Sequence, residues 1–156
     1  MANEELLTNF RDQVAEFAKH RTFIERTEGL AENYREEVVS RVKHDHTEKS
    51  LLVVEKIIPL VVDVEELIVQ LTVEKETEID ARDKENIVVK ELELRLAIEE
   101  LTQEAFDEES AAHQASLDTI TASIENYDKD LDAFNSVLSQ WKELGLKAGI
   151  IVEEAE

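Results

Sequence analysis

LLVVEKIIPLVVDVEELIVQLTV, Leu51 to Val73, holds ten Val or Ile residues among its 23, inside a chain of formal charge −21. It can be a strand, a membrane segment or a helix, and the fold turns on which. A transmembrane helix needs ~20 mostly apolar residues. Glu55, Lys56, Asp63, Glu65 and Glu66 interrupt this segment, so it does not span a bilayer. A half-buried strand alternates, and positions two apart here do not. At helical spacing Glu55, Pro59, Asp63, Glu66 and Gln70 fall on one strip, with Lys56 beside it and Glu65 as the exception. Val54, Ile57, Ile58, Val61, Val64, Ile68 and Leu71 fall opposite. A narrow polar strip predicts a central helix buried on most sides. Packing overrides the modest helix propensity of its β-branched residues. Pro59, on the polar strip, is expected to kink the helix or to begin a second segment at its first turn.

The strongest periodicity lies downstream. Phe106, Ser110, His113, Leu117, Ile120, Ile124, Tyr127, Leu131, Phe134, Leu138 and Trp141 follow one another by fours and threes. That is a heptad seam, the pattern of left-handed coiled-coil packing. Leu117, Ile120, Ile124, Tyr127, Leu131, Phe134, Leu138 and Trp141 are therefore candidates for protein–protein contact. Near the N-terminus Leu7, Phe10, Val14, Phe17 and Ile24 carry a similar seam, and Leu30, Tyr34, Val38 and Val42 follow Gly29. HDHTEKS, His44 to Ser50, lacks apolar residues and offers Thr47 and Ser50 as helix caps. EKETEIDARDKEN, Glu74 to Asn86, has Ile79 as its one large apolar residue and is the expected hairpin tip. KELELRLAI, Lys90 to Ile98, alternates like a strand. Its residue types are nevertheless helix formers, and as a helix it has two apolar sides, fit for two neighbours.

Three Gly and one Pro in 156 residues leave little material for tight turns or phosphate-binding loops. The predicted fold is all-α: an elongated antiparallel helical hairpin, or a coiled-coil-like three- to four-helix bundle. One helical domain covers residues 1–145, with breaks near Gly29, His44–Thr47 and Glu109 and a cap at Gly145. Residues 146–156 form an extended tail, where Ile150, Ile151 and Val152 are expected to dock on the bundle or on a partner's sheet edge.

The 38 acidic residues against 17 basic ones argue against nucleic-acid or anionic-lipid binding and favour basic partners. The absence of Cys excludes disulfides and thiolate metal sites. MANEELLTNF lacks the basic start of a targeting peptide, which points to a cytoplasmic chain. His44 and His46 could chelate a metal only from a loop or strand, since residues two apart on a helix do not share a face. His113 interrupts the apolar seam, as a register-setting residue or a satisfied bundle histidine. Glu-x-x-His pairs, HExxH and Gly-rich nucleotide motifs do not occur. Cofactors and catalytic residues are accordingly not expected. The expected function is a structural or adaptor subunit of a larger assembly, through self-association or with other proteins. An acidic helical chaperone holding an apolar segment is the alternative, and a metal-binding bundle a weaker one.

ENYR at Glu32–Arg35, IIP ending at Pro59 and HQA at His113–Ala115 loosely resemble the GrpE nucleotide-exchange co-chaperones, which carry a long helix with such landmarks. The β wing expected of that family, with its Gly and Pro residues, is missing from this C-terminal half.

Overall fold

A computed structural model describes residues 2–151. Nearly all of them are helical, and no strand occurs among them. Helix α1 covers Ala2–Gly29, a 3-10 turn Ala31–Asn33, α2 Glu36–Ala97 and α3 Gln103–Lys147. Two compact units are formed, one from the described parts of 1–67 and 133–156, the other from 68–132. Both α2 and α3 contribute to each. KELELRLAI is thus helical up to Ala97, and the strand-like alternation of its leucines has no structural counterpart.

In the first unit α1, the N-terminal half of α2 and the end of α3 share a core. Phe10, Val14, Phe17 and Ile24 of α1 are buried with Val53, Val54, Ile57 and Val64 of α2 and Phe134, Val137, Leu138 and Trp141 of α3. Phe17 meets Trp141 edge to face at 5.1 Å between centroids. Both N-terminal and C-terminal seams are therefore inward. His20 fills the step that the α1 pattern leaves open between Phe17 and Ile24, and it is buried as well. The predicted break near Gly29 is present: α1 ends there, and the Leu30 N–H donates to the Thr27 carbonyl at 3.2 Å.

Other expected breaks are absent. His44–Thr47 lies inside α2 and Glu109 inside α3. Ser50 is not a cap. Its hydroxyl donates to the Thr47 carbonyl at 2.7 Å within the helix, and the side chain is buried. Pro59 neither ends α2 nor starts a new segment; it stands on the exposed side, where the backbone bond it cannot make is open to water. Glu74–Asn86 is not a hairpin tip either, because α2 runs through it to Ala97. Glu, Lys, Arg and Ala are strong helix formers even without an apolar stripe. The reversal falls instead at Ile98–Thr102.

That reversal is built from two standard helix-end devices. Glu99 takes φ 63°, the Glu100 N–H donates to the Arg95 carbonyl at 2.9 Å, and the Glu99 N–H to Leu96 at 3.1 Å. This is a Schellman C-cap. Thr102 then caps α3, accepting from the Ala105 N–H at 3.1 Å. A left-handed backbone costs a non-glycine residue ~1–2 kcal/mol. Glu99→Gly is expected to stabilise the protein by ~0.5–1 kcal/mol after its larger unfolded-state entropy is counted. Thermal melting checks this: the midpoint should rise by ~1–3 °C.

The end of α3 repeats the device. Gly145 does not terminate the helix; it is buried within it, and the cap is at Gly149, with φ +73°. The Ile150 N–H donates to the Gly145 carbonyl at 2.9 Å and the Gly149 N–H to Leu146 at 3.1 Å. Ile151 folds back over Gly145: its Cγ1 lies 2.7 Å from where a β-carbon would stand. The segment from 146 therefore begins as helix rather than extended tail, because only Gly149 supplies the left-handed residue a helix end uses. Val152 lies outside the described residues.

The second unit, 68–132, pairs the C-terminal half of α2 with the N-terminal half of α3 in antiparallel fashion. Lys75–Asp128 and Glu85–His113 ion pairs set the register. Leu71, Leu92 and Ile124 are its buried apolar residues among those described.

Candidate functional site

The α3 seam is the most regular feature of the sequence, and the structure turns it inward along its length. Phe134, Leu138 and Trp141 are buried in the first unit and Ile124 in the second, while Leu117, Ile120, Tyr127 and Leu131 are half-buried. Their packing is against their own chain. Ile150 and Ile151 are half-buried at the end of α3.

The histidines fall into three environments. His44 is exposed and pairs with Glu48 at 3.0 Å. His46 instead meets His20 of α1, with their Nδ1 atoms 3.0 Å apart. One ring must donate and the other accept. Glu16 lies 3.2 Å from the far nitrogen of His20, and the Phe23 ring is tilted against His46 with 4.9 Å between centroids. Because α2 is helical here, His44 and His46 diverge and cannot chelate together. Among the described residues no group of three His, Asp or Glu is placed to hold a metal ion. Beside this cluster a hydrogen bond from Lys19 holds the Glu16 carboxyl below its usual range, and one from Lys49 does the same for Asp45. His113 pairs with Glu85 at 2.7 Å, a half-buried and satisfied histidine.

The interior of the second unit is unusually polar. Glu74, Lys75, Glu78 and Glu85 are half-buried on the side of α2 that meets α3. Tyr127 of α3 sits against Glu74 and Glu78. Burial pushes its phenol up first, and the two carboxylates push further. Its folded pKa is thus above the unfolded ~10, so its contribution to stability is complete below pH ~10 and is lost as pH rises through the folded value. In a Tyr34→Phe variant only Tyr127 remains to titrate. Its phenolate absorbance is expected to appear with a midpoint above 10, and Glu74→Gln should lower that midpoint. A Tyr127 midpoint at the free-tyrosine value would show that it does not face these carboxylates.

Leu71 and Leu92 of this half of α2 are buried, but a second set of its apolar residues points the other way. Val69, Val73, Ile87, Leu94 and Ile98 are 65, 56, 67, 63 and 63% exposed. The same holds upstream in the first unit, where Leu51, Leu52, Ile58 and Val62 are exposed. Ile58 is thus not on the buried side, and α2 is not buried on most sides. Its core face in the first unit is narrow, formed by Val53, Val54, Ile57 and Val64, because only α1 and α3 cover it. A separate apolar groove of about 200 Å³ lies at the α1–α2 joint, lined by Leu30, Tyr34, Val38 and Val42 among others. Periodicity detected both apolar sides of Lys90–Ile98. It did not distinguish the side that meets α3 from the side left open.

No protein-family model matches this chain, nor does any curated protein or solved structure. No helix among the described residues is long and apolar enough to cross a membrane.

Proposed function

We propose that this chain is a non-enzymatic structural or adaptor subunit of a larger protein assembly, with coiled-coil-like helices that act through helix-on-helix packing. The observation that carries the reading is the outer side of α2. Clusters of large apolar residues left open on a soluble protein mark interaction sites, and here two such clusters, Val69 with Val73 and Ile87 with Leu94 and Ile98, flank a charged stretch on one side of α2. Here Val69, Val73, Ile87, Leu94 and Ile98 recur at helical spacing on one side of a single helix, each more than half exposed. The inner side of the same segment holds Glu74, Lys75, Glu78 and Glu85. Leu71 and Leu92 are buried on that inner side as well, so this part of α2 has apolar residues on two sides, of which its own chain covers one.

The chaperone reading is favoured by a different observation, the groove lined by Leu30, Tyr34, Val38 and Val42. A short apolar segment of a partner would fit there. Purification from the native source under gentle conditions, followed by sedimentation, separates the two. Stable co-sedimentation at fixed stoichiometry that Leu94→Asp abolishes supports the adaptor. A complex abolished by Tyr34→Asp and indifferent to Leu94→Asp supports the chaperone.

A further inference from the structure

The charge around the open side of α2 identifies the kind of helix that covers it. Val69, Val73, Ile87, Leu94 and Ile98 are separated by 4, 14, 7 and 4 residues, each close to a whole number of turns. They line one side of the helix over about 44 Å. Glu76, Asp80, Asp83 and Glu91 stand on that same side by the same spacing and are exposed. Lys84 and Lys90 stand only at its margins, and Lys90 is drawn to Glu93 at 3.1 Å. Glu76 and Asp80 have no ion-pair partner among the described residues. The unit that carries this side, 68–132, has 19 acidic and 6 basic residues, a charge of −13 out of the chain's −21. A second copy would press two such surfaces together, and like charges across an interface are costly. A helix with apolar residues at heptad spacing and Lys or Arg beside them would cover the apolar residues and pair with the carboxylates that stand among them.

We propose that the exposed side of α2 between Val69 and Ile98 docks a basic amphipathic helix of a partner protein. The proposal rests on the adaptor reading for the existence of a partner, and on the chemistry of this side for its nature. The partner helix spans up to about 30 residues and completes a three-helix arrangement in a unit that has two helices of its own.

The test uses the full chain and a dye-labelled 30-residue synthetic peptide with Leu at heptad a and d positions and Lys at e and g. A peptide of the same composition in scrambled order is the control. Anisotropy titration is expected to show the amphipathic peptide binding at least about tenfold more tightly than the scrambled one. Leu94→Asp should weaken binding by about tenfold or more although it adds a negative charge, because an apolar contact is lost. Tyr34→Asp, in the other unit, should leave it unchanged. Circular dichroism confirms that both variants are folded, as expected for exposed positions. Equal binding of the two peptides, or tighter binding by Leu94→Asp, would show bare charge attraction and overturn the proposal. A wild-type dimer at micromolar concentration that Leu94→Asp converts to monomer would overturn it in favour of a second copy. A native complex that survives Leu94→Asp would sink this proposal and leave an adaptor role open through another surface.

Discussion

Phe17→Ala is expected to destabilise the protein by ~3–5 kcal/mol, the range for emptying a fully buried aromatic site. Phe17 has no exposed surface, and its ring meets Trp141 edge to face at 5.1 Å. The change therefore opens a cavity where α1 packs on the end of α3. Urea denaturation should show the loss as a lower midpoint with an unchanged slope. Leu131→Ala, on the α3 seam but half-buried, belongs at the low end of the ~2–5 kcal/mol range for buried leucines. Glu125→Ala, exposed beside that seam, should stay within ~0.5 kcal/mol. A Phe17→Ala protein as stable as its parent would mean that α1 is not packed on α3 as described.

The second large effect is a contrast between neighbours. Ile57 is fully buried and Ile58 is 57% exposed. Ile57→Ala is expected to cost ~2–5 kcal/mol. Ile58→Ala should stay within ~0.5 kcal/mol. Thermal melting of the two variants reads the orientation of α2 directly, since a rotation of the helix by a third of a turn would exchange their roles. Comparable losses at both positions would indicate that α2 is covered on its outer side as well.

These two residues also mark where the sequence is readable. The helical character of Leu51–Val73 follows from its spacing, and Val54, Ile57, Val64 and Leu71 are buried as that spacing predicts. Ile58 is not, because a helix apolar on two sides does not say how many neighbours it has within its own chain. The α3 seam was legible since one apolar stripe stands against a polar background. Phe10, Val14, Phe17 and Ile24 were legible for the same reason, while His20 in the step between them was hidden by its residue type. Glu74–Asn86 was misleading. A stretch with Ile79 as its one large apolar residue resembles a loop, yet Glu, Lys and Arg sustain a helix, and here Lys75 and Glu85 form ion pairs with α3. The reversal was equally hidden, since Glu99 carries a conformation that sequence associates with Gly. At the other end of α3, Gly145 and Gly149 look alike in sequence. Only the second is left-handed; the first makes room for Ile151.

The candidate interaction side of α2 was half legible. Two apolar sides over Lys90–Ile98 predict two neighbours, and α3 accounts for one. Which side faces α3 is decided by ion pairs between distant residues, Lys75 with Asp128 and Glu85 with His113, and local periodicity does not contain them.

All of this depends on α2 running unbroken through the charged stretch, because a turn at Glu74–Asn86 would place Val69 and Leu94 on different helices. Backbone Cα chemical shifts of isotopically labelled protein test that claim most directly. Continuous helical shifts from Glu74 to Asn86 and a break confined to Ile98–Thr102 are expected. Coil shifts across Glu74–Asn86, with continuous helix through Ile98–Thr102, would contradict it.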